Sequence, residues 1–388
     1  MTSKPGSNTS APKRRSTRRP AGSPRQPPPA EERAAEPTDA AATSPDEPAT
    51  APERATPPQP ATPEPAGRER RRIVITGGTG LVGRAVVRTL RERGDVVVAI
   101  VRDSRRAAHL AELGVELVDD DLSDVLRLTE ILHGADAAIH AAGSYRIGIS
   151  RAEHGAMWDA NVGTTTRLLD AAEAAATPRI VYVSTGNVYG NTRGRVVDET
   201  YRRDLADGFL SWYDETKYGA HEVAEQRIAG GAPLVIVLPS QVYGPGDRSQ
   251  FGEQLRLARD GKLRYRALDD VGIGLVHADD LAAGMIAALD GGAIGRSYNL
   301  SGPTTTLGDA IGMAATIGGH RPPRVRVPTG LLRVTAPLGG VVGQPNLREL
   351  ISASSGVTYW FSSERATQEL GFAPRDVEAG FRDVFGRA

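Results

Sequence analysis

The sequence predicts an α/β fold in which a doubly wound parallel sheet is followed by a smaller C-terminal lobe. From residue 71 onward, short β-branched runs alternate with amphipathic helical patterns. Parallel strands that are buried on both faces have such near-continuous apolar sequences. A glycine-rich turn joins the first strand directly to the first helix, and the apolar signal stops before residue 71, which predicts a disordered N-terminal tail.

The predicted tail comprises residues 1–70. It contains no Val, Ile, Leu, Phe, Trp or Tyr and holds 16 of the 27 prolines, so it buries too little to offset the entropy of ordering. Its basic stretch "APKRRSTRRP" could contact nucleic acid or a membrane surface; a solvated linker, or an extension upstream of the true start codon, is the plainer interpretation. The folded domain is not expected to bind nucleic acid, because the 47 basic and 47 acidic residues of the chain balance.

The composition excludes several kinds of site. The chain has no cysteine, which excludes disulfides, thiolate metal sites and a cysteine nucleophile and makes a reducing cytoplasm the expected location. The 7 histidines show no metal-ligand spacing, so we expect no metal site. The sequence has no run of about 20 apolar residues to span a membrane, and no secretory signal follows the basic cluster.

The folded part is predicted to divide near residue 240. Its strands "RIVIT", "VVVAI", "VELVD", "DAAIHAA", "RIVYVST" and "PLVIVLP" alternate with helices at 81–93, 104–113, 123–132, 152–175 and 211–230. Beyond that point the pattern loosens into a helix near 250–261, the strand "GIGLVHA", a helix at 279–290 and the strand "RSYNLSG". We predict a sheet domain over 71–240 and, over 241–388, a lobe that returns some elements to the sheet. The cleft between them is the expected ligand site.

The turn in "RIVITGGTGLVGRAVVRTL" has the spacing of a dinucleotide-binding loop. Gly77, Gly80 and Gly83 follow a strand and begin a helix. Glycines permit the tight turn and let the backbone approach a pyrophosphate, which the N–H groups and dipole of the helix stabilise. We expect these glycines, with Leu81 and Val82 between them, to bind NAD(P), which makes residues 71–240 a Rossmann domain.

The end of the second strand bears on the choice between NADP and NAD. The stretch "VVVAIVRDSRR" places Arg102 where a carboxylate would bind the ribose 2′-hydroxyl of NAD. A guanidinium there matches the 2′-phosphate of NADP in charge and geometry, so we expect NADP. NAD stays possible, because Asp103 could turn inward to the ribose while Arg102 is solvated.

Further cofactor contacts are expected along the same edge of the sheet. Asp121 and Leu122 follow the third strand, where an adenine would lie, although Ser123 could simply cap the next helix there. The fourth strand ends in small residues that leave room for a cofactor to pass. These are Ala141, Ala142 and Gly143.

A hydroxyl, a phenol and an ammonium come together around the fifth strand. "RIVYVSTGNVYG" ends that strand in Ser184 and Thr185, where a hydroxyl beside nicotinamide could hold a substrate carbonyl. On the next helix, "WYDETK" places Lys217 one turn after Tyr213, where an ammonium can lower the pKa of the phenol for acid/base work. The same ammonium can also bind the cofactor by hydrogen-bonding the nicotinamide ribose. Alone, such a pair is more often a solvated helix contact; the neighbouring motifs favour the catalytic interpretation.

Together these motifs resemble the extended short-chain dehydrogenase/reductase family, also called the NAD-dependent epimerase/dehydratase family. The resemblance spans about residues 72–385 and depends on "TGGTGLVG", "DL", "HAAG", "NVGTTTRLLDAA", "VSTGNVYG", "YDETK", "PSQVYGPGD" and "VHADDLA", in the family's order. It implies that Thr185 binds substrate, that Tyr213 is the acid/base and that Lys217 is its partner. Asn161 corresponds to the asparagine of a proton relay, although a helix cap or kink would also account for it.

The same resemblance suggests an activity and an assembly. Pro239 and Val242 correspond to the segment that flanks nicotinamide, and "VRDSRRAAHL" and "TYWFSSERATQELGFAPRDVEAGFRD" are most similar to the dihydroflavonol-reductase and 3β-hydroxysteroid-dehydrogenase branch. That branch implies an oxidoreductase that interconverts a ketone and a secondary alcohol of a small-molecule substrate. A nucleotide-sugar epimerase or dehydratase with tightly bound NAD is the alternative. The family also implies a homodimer through the helices at 152–175 and 211–230.

Overall fold

Strands of one central sheet organise the protein, seen in a computed structural model that describes residues 70–337 and 346–386. The predicted tail lies outside these residues, apart from Arg70 at its end. The described strands are β1 (Arg72–Thr76), β2 (Val96–Val101), β3 (Glu116–Asp119), β4 (Ala137–His140), β5 (Ile180–Val183), β6 (Leu234–Pro239), β7 (Gln241–Tyr243), β8 (Tyr265–Ala267), β9 (Gly272–His277), β10 (Ser297–Leu300), β11 (Thr304–Thr306), β12 (Val325–Val327) and β13 (Thr358–Tyr359).

The main sheet has seven strands in the order β10-β6-β5-β4-β1-β2-β3. Every neighbouring pair in it runs parallel. This is the order of a doubly wound dinucleotide-binding sheet, in which the direction of winding reverses between β1 and β4. The predicted α/β fold is confirmed, and the carboxyl ends of all these strands share one edge.

Helices cover both faces of the main sheet. The described helices, on this sheet and elsewhere, are α1 (Leu81–Glu92), α2 (Ala108–Ala111), α3 (Val125–Leu132), α4 (His154–Trp158), α5 (Thr164–Ala174), α6 (Trp212–Ala229), α7 (Gln250–Arg259), α8 (Ala278–Gly291), α9 (Leu307–Ile317), α10 (Thr329–Thr335), α11 (Leu347–Ser354), α12 (Glu364–Leu370) and α13 (Val377–Phe385). One buried apolar cluster joins the sheet to α1 and α8, and another joins it to α3, α5 and α6. Within the described ranges, no helix combines the length and apolar character that crossing a membrane requires.

Past residue 240 the chain builds a second, smaller sheet around β9. Strands β7 and β13 pair parallel with β9, and β11 pairs antiparallel with it. Strand β10 returns to the main sheet beside β6. Phe361, just after β13, packs on Gly186 so closely that a Cβ on that glycine would overlap its ring. The C-terminal segment thus contacts the end of β5, while the domain boundary at residue 240 stays a prediction.

The predicted helix at 104–113 is reduced to the four residues of α2. The carboxylate of Asp103 explains the change, because it accepts hydrogen bonds from the N–H groups of Arg105 and Arg106. Those bonds close a turn at the position where a helix would otherwise begin.

Two helix details also differ from expectation. The residue that caps α3 is Asp124, not Ser123, because the Asp124 carboxylate accepts from two N–H groups of the first turn. The predicted helix at 152–175 contains a π turn over Asp159–Gly163, which separates α4 from α5. Extra backbone in a π turn often marks a functional site.

Candidate active site

The glycine turn after β1 brings three stretches of backbone together. Gly77 has a φ of +75°, and a Cβ on it would lie 2.6 Å from the carbonyl carbon of Ala141. A Cβ on Gly83 would overlap the carbonyl oxygen of Gly77. These two positions therefore require glycine.

The start of α1 fits the pyrophosphate of a dinucleotide. The exposed Gly80 is its N-cap, and no side chain caps the first N–H groups of the helix. Those groups and the helix dipole are therefore available to an anion. Leu81 and Val82 are half-buried and pack against the core below the turn. The turn thus has the close approach and the donors that the predicted cofactor needs.

The end of β2 presents a guanidinium at the cofactor edge. Arg102 is exposed and takes part in no ion pair with the residues that the structure describes. Asp103 accepts a hydrogen bond from the N–H of Arg105 at 3.0 Å and lies 3.5 Å from the guanidinium of Arg106. The carboxylate of Asp103 is thus engaged in its own turn.

The segment after β3 holds an unusual backbone conformation. Leu122 is buried and has a φ of +64°, which is strained for a residue with a side chain. Arg167 stabilises this conformation by donating from Nε to the Leu122 carbonyl at 2.6 Å. Asp121 is exposed and accepts a hydrogen bond from the N–H of Ser123 at 3.0 Å, and hydrogen bonding to Ser123 lowers the pKa of Asp121.

The remaining predicted cofactor residues lie at the ends of β4 and β6. Ala141 and Ala142 are half-buried beside the glycine turn, and Gly143 is exposed. Pro239 is the buried last residue of β6. Val242, in β7, is half-buried against the core cluster that includes α1.

Thr185 belongs to a hydrogen-bonded chain that ends at a buried carboxylate. Its hydroxyl donates to Asn187 Oδ1 at 3.2 Å, and Asn187 Nδ2 donates to Asp214 Oδ1 at 3.0 Å. Burial raises the pKa of Asp214 to about 6, although its bonds with Asn187 and Ser211 oppose that change. An ionised carboxylate can only accept hydrogen bonds, so Asp214 orients the Asn187 amide and, through it, the Thr185 hydroxyl.

Tyr213 is buried near the start of α6, close to Thr185. Ser211 caps this helix by accepting a hydrogen bond from the N–H of Asp214 at 3.1 Å. The ring of Tyr145 packs edge-on against that of Tyr213, with centroids 4.7 Å apart. Burial raises the pKa of Tyr213 well above its ordinary value, and hydrogen bonding with Thr185 offsets only part of this rise. The phenol is therefore protonated at neutral pH, as a proton donor must be.

Lys217 lies one helical turn after Tyr213 and is buried against β5. Its Nζ donates to the Val183 carbonyl at 3.1 Å and to the Tyr182 hydroxyl at 3.4 Å. Burial lowers the pKa of Lys217 to about 8. The hydrogen bonds of this ammonium within the described residues go to β5 rather than to Tyr213, so the expectation that Lys217 lowers the phenol pKa stays a prediction.

Asn161 lies buried in the π turn between α4 and α5. Its Oδ1 accepts from the N–H of Ser144 at 2.7 Å, and its Nδ2 donates to the Thr216 hydroxyl at 2.8 Å. These bonds tie the loop after β4 to α6. They give Asn161 a positioning role, while its part in a proton relay stays a prediction.

Sequence motifs did not indicate several side chains at this site. Tyr145, Asn187 and Asp214 come from three separate elements, and nothing local marks Asp214 as buried. The place of Tyr182 at the site could have been predicted from the sequence, because side chains two residues apart on a strand share a face, and Ser184 is two residues after Tyr182. Within residues 70–337 and 346–386, no cluster of three or more His, Asp or Glu side chains could hold a metal ion.

The chain belongs to the NAD-dependent epimerase/dehydratase family, whose model matches residues 73–301. The matched segment contains both the glycine turn and the Thr185, Tyr213 and Lys217 positions. The resemblance found in the sequence is thereby confirmed, and the protein is an oxidoreductase of a family with an NAD-binding Rossmann domain.

Individual relatives agree with this assignment. A putative dihydroflavonol 4-reductase from Synechocystis sp. is 29% identical over 323 residues, which cover 80% of this chain and 92% of that protein. A 3 beta-hydroxysteroid dehydrogenase/Delta 5-->4-isomerase from Mycobacterium tuberculosis is 28% identical and covers 78% and 86%, respectively. The crystal structure of gox2253 matches with a TM-score of 0.71 at 32% identity, over 81% of this chain and 97% of that one.

We expect replacement of Lys217 by methionine to change stability in a pH-dependent way. The pKa of Lys217 is about 8 in the folded state against 10.5 ordinarily, so unfolding takes up a proton between these values. The free energy of unfolding of the parent therefore rises with pH across this window, by roughly 3 kcal/mol. The difference in free energy of unfolding between Lys217→Met and the parent should therefore favour the variant most below pH 8. It should shift toward the parent by the same roughly 3 kcal/mol as the pH rises to 10.5.

Urea unfolding of both proteins at pH 7 and pH 10.5 measures this difference. The matched control is Lys262→Met, because the side chain of Lys262 is 70% exposed. A Lys217→Met difference as independent of pH as that of the control would contradict a buried ammonium.

Proposed function

We propose that the protein is an NADP-dependent oxidoreductase that interconverts a ketone and a secondary alcohol on an apolar small molecule. The observation that carries the proposal is the meeting of Thr185 and Tyr213 at the carboxyl edge of the sheet, with Lys217 one turn further along α6. A hydroxyl and a protonated phenol at one point can hold and protonate a single carbonyl oxygen.

In the reduction direction, each side chain has a separate task. Bound NADPH supplies the hydride that the substrate carbon receives. Tyr213 donates its proton to the carbonyl oxygen as negative charge develops there, and Thr185 holds that oxygen in place. Lys217 returns a proton to the phenolate; its pKa of about 8 allows it to give up a proton near neutral pH.

The surroundings of Tyr213 support an apolar substrate. Tyr213 belongs to a small cluster with Ile149 and Met157, against which Ile147 and Trp212 pack. Tyr145 stands at the edge of this cluster and is 55% exposed. An apolar wall with few polar groups favours a substrate that buries carbon surface over a nucleotide sugar, which would need hydrogen bonds to its hydroxyls.

Arg102 supports NADP over NAD. Its guanidinium is exposed at the end of β2 and is not held by a described carboxylate, whereas the Asp103 carboxylate is engaged in its own turn. A bidentate contact between this guanidinium and a ribose 2′-phosphate is available in NADP but not in NAD.

We expect NADPH to bind more tightly than NADH by about tenfold or more, because a charge-assisted contact with the 2′-phosphate is lost with NADH. Arg102→Asp should remove or reverse this preference in fluorescence titrations. Arg106→Asp serves as the control, since it introduces the same charge change four residues away on an exposed side chain. Equal affinities in the parent, with NAD copurifying and no need for added coenzyme, would instead indicate the epimerase or dehydratase alternative.

Tyr213→Phe and Lys217→Met should impair the enzyme in different ways. Tyr213→Phe keeps the ring packing, so fold and NADP affinity should persist while turnover falls by a factor on the order of 10²–10⁴, the usual contribution of a positioned acid. Lys217→Met should reduce turnover and also weaken NADP binding, because we expect the same ammonium to hydrogen-bond the nicotinamide ribose. Steady-state kinetics and coenzyme titration separate the two outcomes.

Tyr218→Phe is the matched control for this pair, because it removes a phenol hydroxyl from the same helix on a half-buried side chain. We expect parent-like turnover from it. A Tyr213→Phe protein that also retained parent turnover would exclude Tyr213 as the acid.

We also propose a homodimer through the helices at 152–175 and 211–230, on the basis of family membership. Trp158 lies against Gly219 between these helices and is 42% exposed, which leaves an aromatic side chain on the proposed interface. Light scattering should give the mass of two chains for the parent and of one chain for Trp158→Glu. A monomeric parent would contradict the proposal.

A further inference from the structure

One face of α6 carries a row of proton-exchanging side chains. Tyr213, Lys217, His221 and Glu225 recur every four residues, so they lie along one side of the helix. The proposed reaction uses the first two. His221 and Glu225 continue the row away from the candidate active site, and His221 is buried.

Strand β5 bridges the gap between the two halves of this row. Lys217 Nζ donates to the Tyr182 hydroxyl at 3.4 Å. Tyr182 and Ser184 alternate along the same face of β5, and the Ser184 hydroxyl lowers the pKa of Tyr182 against the rise that burial causes. Ser184 Oγ in turn lies 3.0 Å from His221 Nδ1. Tyr182 and Ser184 are both buried. A row of buried hydroxyls therefore leads from Lys217 to the imidazole, and rotation of the Ser184 hydroxyl toward Tyr182 would complete it.

The far end of this series opens to solvent. His221 Nε2 lies 3.5 Å from Glu225 Oε1, and the Glu225 side chain is 35% exposed. Both residues line a surface pocket. Glu225 also lies 3.5 Å from the guanidinium of Arg202. The other charged side chains that face this pocket are Glu199, Arg203 and Glu222.

A second branch from Tyr182 does not reach solvent. The Thr165 hydroxyl also lowers the pKa of Tyr182. It donates to the Asn161 carbonyl at 2.6 Å, and its Oγ1 lies 3.1 Å from His140 Nε2. His140 Nδ1 is 2.7 Å from the Thr76 hydroxyl, and His140 is 0% exposed. Protons cannot enter through this enclosed branch, so the branch through Ser184 is the connection between Lys217 and the surface pocket.

We propose that Tyr182, Ser184 and His221 form a proton relay that resupplies Lys217 from solvent at Glu225. The inference rests on the proposed function, in which Lys217 gives a proton to Tyr213 during ketone reduction. The route does not use the side chain of Asn161, which is occupied with Ser144 and Thr216. In this proposal each of the three relay residues acts through Lys217 rather than on the substrate.

The proton balance of the relay closes at every step. The neutral amine of Lys217 takes the Tyr182 hydroxyl proton, Tyr182 takes that of Ser184, and Ser184 takes the proton from His221 Nδ1. His221 gains a proton at Nε2 from Glu225 or solvent, so one proton enters and Lys217 becomes an ammonium again. Rotation of the hydroxyls and a flip of the His221 ring, which turns the newly protonated nitrogen toward Ser184, restore the starting state.

The first test needs neither substrate nor coenzyme. Besides Lys217, the chain has only Lys4, Lys13 and Lys262, so ¹⁵N-lysine labelling gives few ammonium signals to assign. We expect solvent exchange of the Lys217 protons to slow by about tenfold or more in His221→Gln, which retains a hydrogen-bonding amide but cannot relay a proton. Ser184→Ala removes the middle hydroxyl with little change in volume and should slow exchange equally.

The second test measures turnover of the same variants. In ketone reduction, kcat should fall by about tenfold while the KM for NADPH and the melting temperature stay at parent values, because the relay resupplies protons without binding either ligand. The solvent deuterium isotope effect on kcat should rise as proton delivery becomes limiting. Glu222→Gln is the control: it changes a carboxylate in the same pocket that is not in hydrogen-bond contact with His221.

Unchanged Lys217 exchange in both variants would overturn the relay, because exchange would then proceed by local opening of the helix. That result would not contradict the proposed oxidoreductase activity, because Tyr213→Phe tests that activity separately. Slower exchange in both variants supports the relay even if the substrate class proves to be different. If His221→Gln does not fold, the smaller Ser184→Ala change decides the outcome alone.

Discussion

At Gly77 the backbones of three segments come closer than any side chain would permit, and the position of the candidate site depends on that approach. The loop after β4 lies against Gly77 at Ala141, and α1 begins at the same place through Gly83. From the loop, Ser144 is joined through Asn161 to α6. The glycine turn and the helix that carries Tyr213 are therefore held in register by backbone contacts and one buried amide, which vary less than flexible side chains do.

The polar groups buried around Tyr213 lower the stability of the fold. Burial shifts the pKa values of Lys217 and Asp214 toward their neutral forms, and Asp214 Oδ2 has no hydrogen-bond partner in the described part of the chain. Such groups persist only where apolar packing elsewhere outweighs them. The two apolar clusters on the sheet faces provide that packing. Groups that titrate near neutral pH are also what proton transfer requires, so the same burial that costs stability suits the proposed chemistry.

Local patterns explain why the sheet and the glycine turn could be predicted from the sequence. A buried parallel strand and a Gly-rich turn each have a signature that is only a few residues long. The order of these motifs along the chain then predicts the edge of the sheet at which they meet. The surroundings of Tyr213 were not predictable in this way, because Tyr145, Asn187 and Asp214 become neighbours only in the folded chain. Nothing in the sequence "YDETK" distinguishes the buried carboxylate of Asp214 from a solvated one. The short α2 was missed because the Asp103 side chain closes a turn there and overrides local helix propensity.

The candidate site draws its parts from two kinds of structure. The proton-exchanging row stands on α6, which packs against the main sheet beside β5, whereas Tyr145 and Ile147 come from the loop that follows β4. Loops tolerate insertion and substitution better than packed elements do. Mutations in that loop can therefore change which molecules are accepted while the reaction itself is inherited intact. For a protein engineer, this loop is the natural segment to randomise or graft when seeking activity on a new substrate.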